Sequence, residues 1–159
     1  MRGRRLMILM AVVLLAAGGC AATTPPPDQV HPSDLVMSML EQDLNQMEGN
    51  LDRLNRQLAD LHGLPKTADP TLREIQALDL AGLQLRQQQW TYQRDHFRFV
   101  QEQLRRAKLH PEDKPVLLEQ WTKHEQDYEK TLEDYRNKRH ALEEKRHQVE
   151  AQVFERYLR

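Results

Sequence analysis

MSMLEQDLNQMEGNLDRLNRQLADL, residues 37–61, is the stretch that decides the fold. Its apolar side chains fall at Met37, Leu40, Leu44, Met47, Leu51, Leu54, Leu58 and Leu61, in alternating steps of three and four. Sustained over more than three repeats, that spacing is the heptad seam of an α-helix with one narrow stripe for burial. Glu41, Asp43, Glu48, Arg53 and Asn55 lie between the apolar positions and leave the remaining faces to water or polar partners. The helix is predicted over about 33–62. Ser33 after Pro32 serves as N-cap, Gly63 suits a C-terminal cap, and Pro65 forbids continuation.

Two further helices follow from the same reasoning. Asp69-Pro70-Thr71 opens the second, over about 70–108, with proline in the first turn and Thr71 to Glu74 available as a capping box. Leu72, Ile75, Leu78, Leu80, Leu83 and Leu85 spread over a wide arc, which predicts contact with two neighbours. The column Leu83, Trp90, Phe97 and Leu104 then settles into steps of seven, supported by Val100 and Ala107. Asp113 is the expected cap of the third helix, over about 114–158, because Pro115 falls in its first turn. The seam of this helix is Trp121, Tyr128, Tyr135, Leu142 and Val149, partnered by Leu118, Leu132 and Val153. Glu125, Arg139 and Arg146 occupy alternate positions, so the second column is expected to be half-buried, with long stems laid on apolar surface.

Short links between helices make neighbours antiparallel. The predicted fold class is therefore all-α: an elongated antiparallel three-helix coiled-coil bundle with helices about 45, 57 and 67 Å long at 1.5 Å per residue. All nine aromatic side chains belong to the second and third helices, which predicts an aromatic hairpin with a thinner Leu/Met helix laid on it. Trp121 is expected level with Val100. The third helix is expected to overrun its neighbours, leaving Val149, Val153, Phe154, Tyr157 and Leu158 with few partners in the chain. Such an apolar strip rimmed by charge marks a docking surface for a partner protein or a seam for self-association.

The chain has 159 residues, with 23 Lys+Arg against 24 Asp+Glu, so it lacks the basic excess of a nucleic-acid binder. Six glycines, 6% aromatic residues and one cysteine, Cys20, argue against sheet-rich and disulfide-stapled folds. Part of the apolar content belongs to the first nineteen residues. Arg2, Arg4 and Arg5 form a basic region ahead of the apolar run from Leu6 to Ala17. A twelve-residue helix spans about 18 Å, short of the roughly 30 Å hydrocarbon core, and reads as a cleaved export signal over residues 1–19.

That signal ends Leu15-Ala16-Ala17-Gly18-Gly19-Cys20, which resembles the lipobox of bacterial lipoproteins. The resemblance implies cleavage before Cys20, acylation of its thiol and new amino terminus, and stable anchoring to a lipid bilayer by more than one chain. The usual leucine three places before the cysteine is replaced by Ala17. Ala21 after the cysteine resembles the pattern that directs a lipoprotein to the outer membrane of a host with two membranes, on its periplasmic face. Loss of Arg2, Arg4 and Arg5 with the signal leaves 20 basic and 24 acidic side chains, a mature net charge of −4. Residues 20–32, with three consecutive prolines at 25–27, are expected to form the tether, of which Ala21 to His31 reaches about 35 Å when extended.

A search for chemistry finds no Gly-rich phosphate loop, no Gly-x-Ser-x-Gly, no HExxH and no thiol free of acylation. His140 and His147, with Glu143 and Glu144 between them, stand about 10.5 Å apart along a helix axis. One ion needs ligands from another helix to join them. Carboxylates interleave with Lys and Arg, as in Glu143-Glu144-Lys145-Arg146, in the manner of solvated helix faces. No catalytic residue, cofactor, metal site or small-molecule substrate is expected.

Two further resemblances bear on function. A lipidated heptad helix resembles the murein lipoproteins, but those attach to peptidoglycan through a terminal lysine, and this sequence ends Tyr157-Leu158-Arg159. Leu109-His110-Pro111-Glu112-Asp113 resembles the Leu-Thr-x-x-Gln motif of small helical periplasmic chaperones and metal-stress proteins, with His110 and Asp113 replacing Thr and Gln. The expected function is a non-enzymatic envelope lipoprotein: a scaffold, spacer or accessory subunit of an envelope assembly. The alternative is a periplasmic chaperone or envelope-stress protein.

Overall fold

The computed structural model describes residues 32–65 and 67–158. The expected export signal over 1–19, Cys20 and the expected proline-rich tether lie outside the described residues. The described residues form three helices, α1 (Pro32–Gly63), α2 (Pro70–Leu109) and α3 (Lys114–Tyr157), with a 3-10 turn (Pro111–Asp113) leading into α3. No strand occurs among the described residues, and the fold is all-α.

The helix ends are built differently from the sequence expectation. Asp69 caps α2 two residues before the proposed capping box, accepting from the Thr71 amide at 2.7 Å and the Leu72 amide at 3.2 Å. Glu74 pairs instead with Lys145 at 3.3 Å. Gly63 is the last residue of α1 and not a left-handed cap, since no glycine among the described residues has positive φ. The Leu64 amide donates to Leu61 O at 3.3 Å and closes the turn, after which Pro65 follows. Asp113 stands at the N-cap position of α3 without a side-chain cap bond, because the 3-10 turn carries the chain in through Asp113 N donating to His110 O at 3.1 Å.

Packing centres on α2, which contacts both α1 and α3, as its wide apolar arc requires. On the α1 side, Asp34 pairs with Lys108 at 2.7 Å, Glu48 with Arg98 at 2.7 Å and Asn55 with Gln87 at 2.6 Å, so positions on α2 fall as those on α1 rise. On the α3 side the same descent runs from His96 and Glu125 at 3.5 Å, through Asp79 and Arg146 at 2.9 Å, to Asp69 and Arg156 at 3.9 Å.

At one end all three helices share a core. Val36 and Leu40 of α1, Val100 and Leu104 of α2 and Trp121 of α3 form one cluster, with Met37, Phe97 and Phe99 packed against it. Trp121 thus meets Val100 in the register the sequence predicts. Burying each large aliphatic side chain contributes about 1.5–3 kcal/mol. Two inward positions differ from the proposed seams: Val36 is buried where Met37 is half-buried, and Leu117 is buried where Leu118 is exposed. Both buried residues lie four places before the next core residue, Leu40 or Trp121, and not three. At 3.6 residues per turn either step fits the stripe, and the angle of the neighbouring helix selects between them.

Candidate functional site

The strip expected at the end of α3 divides on inspection. Val149 is 3% exposed, which takes it out of the proposed contact surface and into the core. Val153 is half-buried. Phe154 and Leu158 are 67% and 72% exposed, while the side chain of Tyr157 lies outside the described residues. The overrun expected of α3 is correspondingly short, because Arg156 reaches Asp69, the residue that caps α2. Val149 and Val153 therefore lie alongside α2 rather than beyond it. Leu64 and Leu72, from the link and first turn at the same end, are also exposed.

Next to that end the helices part. Leu61 and Leu64 of α1 and its link, Leu78 and Leu83 of α2, and Leu142 of α3 line a groove of about 650 Å³. Arg86, Arg139 and Arg146 share its walls with Asp60, Asp79 and Glu143. Arg146 is held by two carboxylates, with Nε 2.9 Å from Asp79 and Nη2 3.2 Å from Glu150, and Arg139 reaches Glu143 at 3.6 Å. Arg146 is half-buried as expected of its position, whereas Arg139 is exposed. The groove has an apolar floor and a charge-balanced wall, with no nucleophile among its lining residues.

Glu125 behaves differently from the two arginines. It is 6% exposed and faces His96, 2% exposed, across 3.5 Å between Oε2 and Nε2. The His96 ring stacks on Tyr128 at 3.6 Å between centroids and 7° between planes, and meets His124 edge-on at 5.3 Å. Tyr128 continues the stack onto Tyr92 at 5.7 Å. Burial, with His124 adding to it, pushes the His96 pKa down to about 3. Burial, with Glu129 adding to it, raises that of Glu125. The opposite directions describe a neutral imidazole beside a carboxyl that resists ionisation, and not a buried ion pair. Burial also pushes the Tyr128 hydroxyl up to about 12. With the ring hydrogen on Nε2 toward Glu125, Nδ1 of His96 keeps a lone pair without a hydrogen-bond partner. Burial of such an atom costs about 1–3 kcal/mol.

His110, His140 and His147 are surface groups with acidic neighbours. His140 and His147 are exposed and pair with Glu144 at 3.6 Å and Glu150 at 3.3 Å. Among the described residues no three His, Cys, Asp or Glu side chains converge on a metal-sized site. No helix among them is long and apolar enough to cross a membrane. Cys20 lies outside the described residues.

Comparison with protein-family models, with curated proteins and with solved structures finds no significant match. The functional reading rests on the residues themselves.

The buried pair escaped the sequence reading, although its signal was present. His96 shares a stripe with Val100, Gln103 and Ala107, at steps of four, seven and eleven. Glu125 stands between Trp121 and Tyr128 at steps of four and three. Both are polar residues inside apolar stripes, which the search for metal-ligand and catalytic spacings does not detect.

Proposed function

We propose that this chain is a membrane-anchored, non-enzymatic envelope lipoprotein, in which an elongated antiparallel three-helix coiled coil acts as scaffold, spacer or accessory subunit. The observation that carries the reading is Arg2 to Cys20, where a basic region, a twelve-residue apolar run and small residues lead to the one cysteine of the sequence. Opposed residue order in the α1/α2 and α2/α3 pairs supports the antiparallel arrangement. Three long helices with surface ion pairs and a groove lacking a nucleophile fit a holding role better than a catalytic one.

Metabolic labelling with radioactive palmitate tests the anchor. The native sequence is expected to take up label and to fractionate with membranes, whereas Cys20→Ala takes up none. Equal labelling of both proteins overturns the lipoprotein reading.

A second reading, a periplasmic chaperone, is favoured by one feature. Phe154, Leu158, Leu64 and Leu72 expose apolar surface beside the leucine-lined groove, which suits unfolded clients. Suppression of client aggregation at near-stoichiometric ratios supports it, and capture of one defined partner without such suppression favours the scaffold.

A further inference from the structure

The exposed large apolar side chains are not scattered. Among the described residues there are nine: Leu35, Met39, Leu109, Val116 and Leu118 at one end, and Leu64, Leu72, Phe154 and Leu158 at the other. Their grouping at opposite ends follows from the Asp34–Lys108 pair at one and the Asp69–Arg156 pair at the other. Single exposed leucines need no explanation, but five gathered around one helix end do.

We propose that the end carrying Leu35, Met39, Leu109, Val116 and Leu118 docks onto the lipid interface. The proposal rests on the acylation of Cys20. Twelve steps along the chain lead from Cys20 to Pro32, where α1 begins, a span of at most about 43 Å at full extension. The opposite end is about 48 Å farther along α1. An acylated Cys20 therefore keeps the Leu35 end within about 43 Å of the bilayer, closer to the anchor along the chain than Phe154 and Leu158 are.

Charge also fits a lipid surface. Arg105, Arg106, Lys108 and Lys114 offset all but one of Asp34, Glu41, Glu112, Asp113 and Glu119 around this end, in a mature chain that carries −4 as a whole. A nearly neutral, leucine-bearing tip approaches anionic headgroups with little repulsion. Leu109 is the most exposed of the five, at 74%, and lies at the end of α2 beside the turn into α3. Docking there adds a second, non-covalent hold and sets the bundle upright, with its groove directed away from the membrane.

The test uses the mature full chain reconstituted into vesicles of phosphatidylethanolamine with a minority of phosphatidylglycerol. An environment-sensitive fluorophore is attached at Leu109→Cys or, as a control, at Phe154→Cys; both positions are exposed. The expected result is a blue shift and quenching by lipids brominated near the headgroup at position 109, with neither at 154. Water-like emission at 109 overturns the proposal. A blue shift that brominated lipid leaves unquenched and that grows with protein density assigns the surface to a second copy, and also overturns it. One label per chain means that the Cys20 thiol is blocked; two mean that acylation has failed. In that event the unacylated chain is sedimented with the same vesicles. Leu109→Asp combined with Val116→Asp is then expected to reduce binding roughly tenfold or more if the tip itself meets lipid. Equal binding of variant and parent sinks the proposal independently of the anchor.

Discussion

The two ends of the helix bundle solve the same packing problem differently. At the Val36 end, aliphatic residues of α1 and α2 close around Trp121, with Leu40 and Val100 fully buried. At the Leu61 end, leucines from the same three helices line an open groove whose walls they share with Arg86, Arg139 and Arg146. The difference teaches that a continuous heptad seam is not a continuous core. Leu142 and Val149 share the column of Trp121, yet Leu142 is only half-buried and lines the groove. A helix can supply the stripe, but closure depends on side chains from both neighbours.

The largest test of that contrast is Leu40→Ala against Leu142→Ala in urea unfolding. The first removes a fully buried side chain and is expected to cost about 2–5 kcal/mol, whereas the second, at the groove, is expected to cost under about 2 kcal/mol. Equal losses would show that the groove end is as tightly packed as the other.

Between the two ends, the burial of His96 and Glu125 sets a pH dependence. An unfolded His96 titrates near 6.5 and the folded one near 3, so the unfolded chain binds more protons across that window. His96 therefore contributes full stability above about pH 6.5 and loses it progressively as pH falls toward 3. The cost reaches a few kcal/mol at about 1.4 kcal/mol per unit. Glu125 acts in the opposite sense, because its raised pKa makes ionisation costly as pH climbs above the ordinary carboxylate range. His96→Leu should flatten the acid side of the urea midpoint against pH; an unchanged acid side breaks this account.

A smaller effect is expected at the groove end from Asp69→Ala. The Leu72 and Thr71 amides hold the Asp69 carboxyl below its ordinary pKa, so the cap is present above the normal carboxylate range and weakens as pH falls through the lowered value. The variant should lower the urea midpoint by less than Leu40→Ala and remove that component of the acid sensitivity. Smallest and opposite in sign is Gly82→Ala. Gly82 is inside α2 at the groove, and a Cβ built there meets nothing within 4 Å. A gain of about 0.5–1 kcal/mol in urea unfolding is expected from helix propensity alone, and a loss would mean that the groove closes in solution.

Three helices and their breaks at proline were legible because turn period and the exclusion of proline from a helix interior are local rules, and short links between the helices put Trp121 level with Val100. The proposed export signal and its Cys20 are an equally local reading, made from consecutive residues. Val149 was misjudged for lack of a known helix-end register. One pair, Arg156 with Asp69, shortens the overrun and brings Val149 alongside α2. Glu125 was expected to be half-buried, but it is enclosed because His96, Tyr128 and their neighbours close over it.

By itself the sequence determined that this protein is helical, where each helix begins and stops, and which stripe of each is apolar. Those properties depend on residues within a few turns of one another. Tertiary structure alone decided which of two adjacent apolar residues turns inward, where the shared core gives way to a groove, and that a histidine and a glutamate meet inside. Each depends on distances between helices separated by tens of residues, which periodicity along a single helix does not encode.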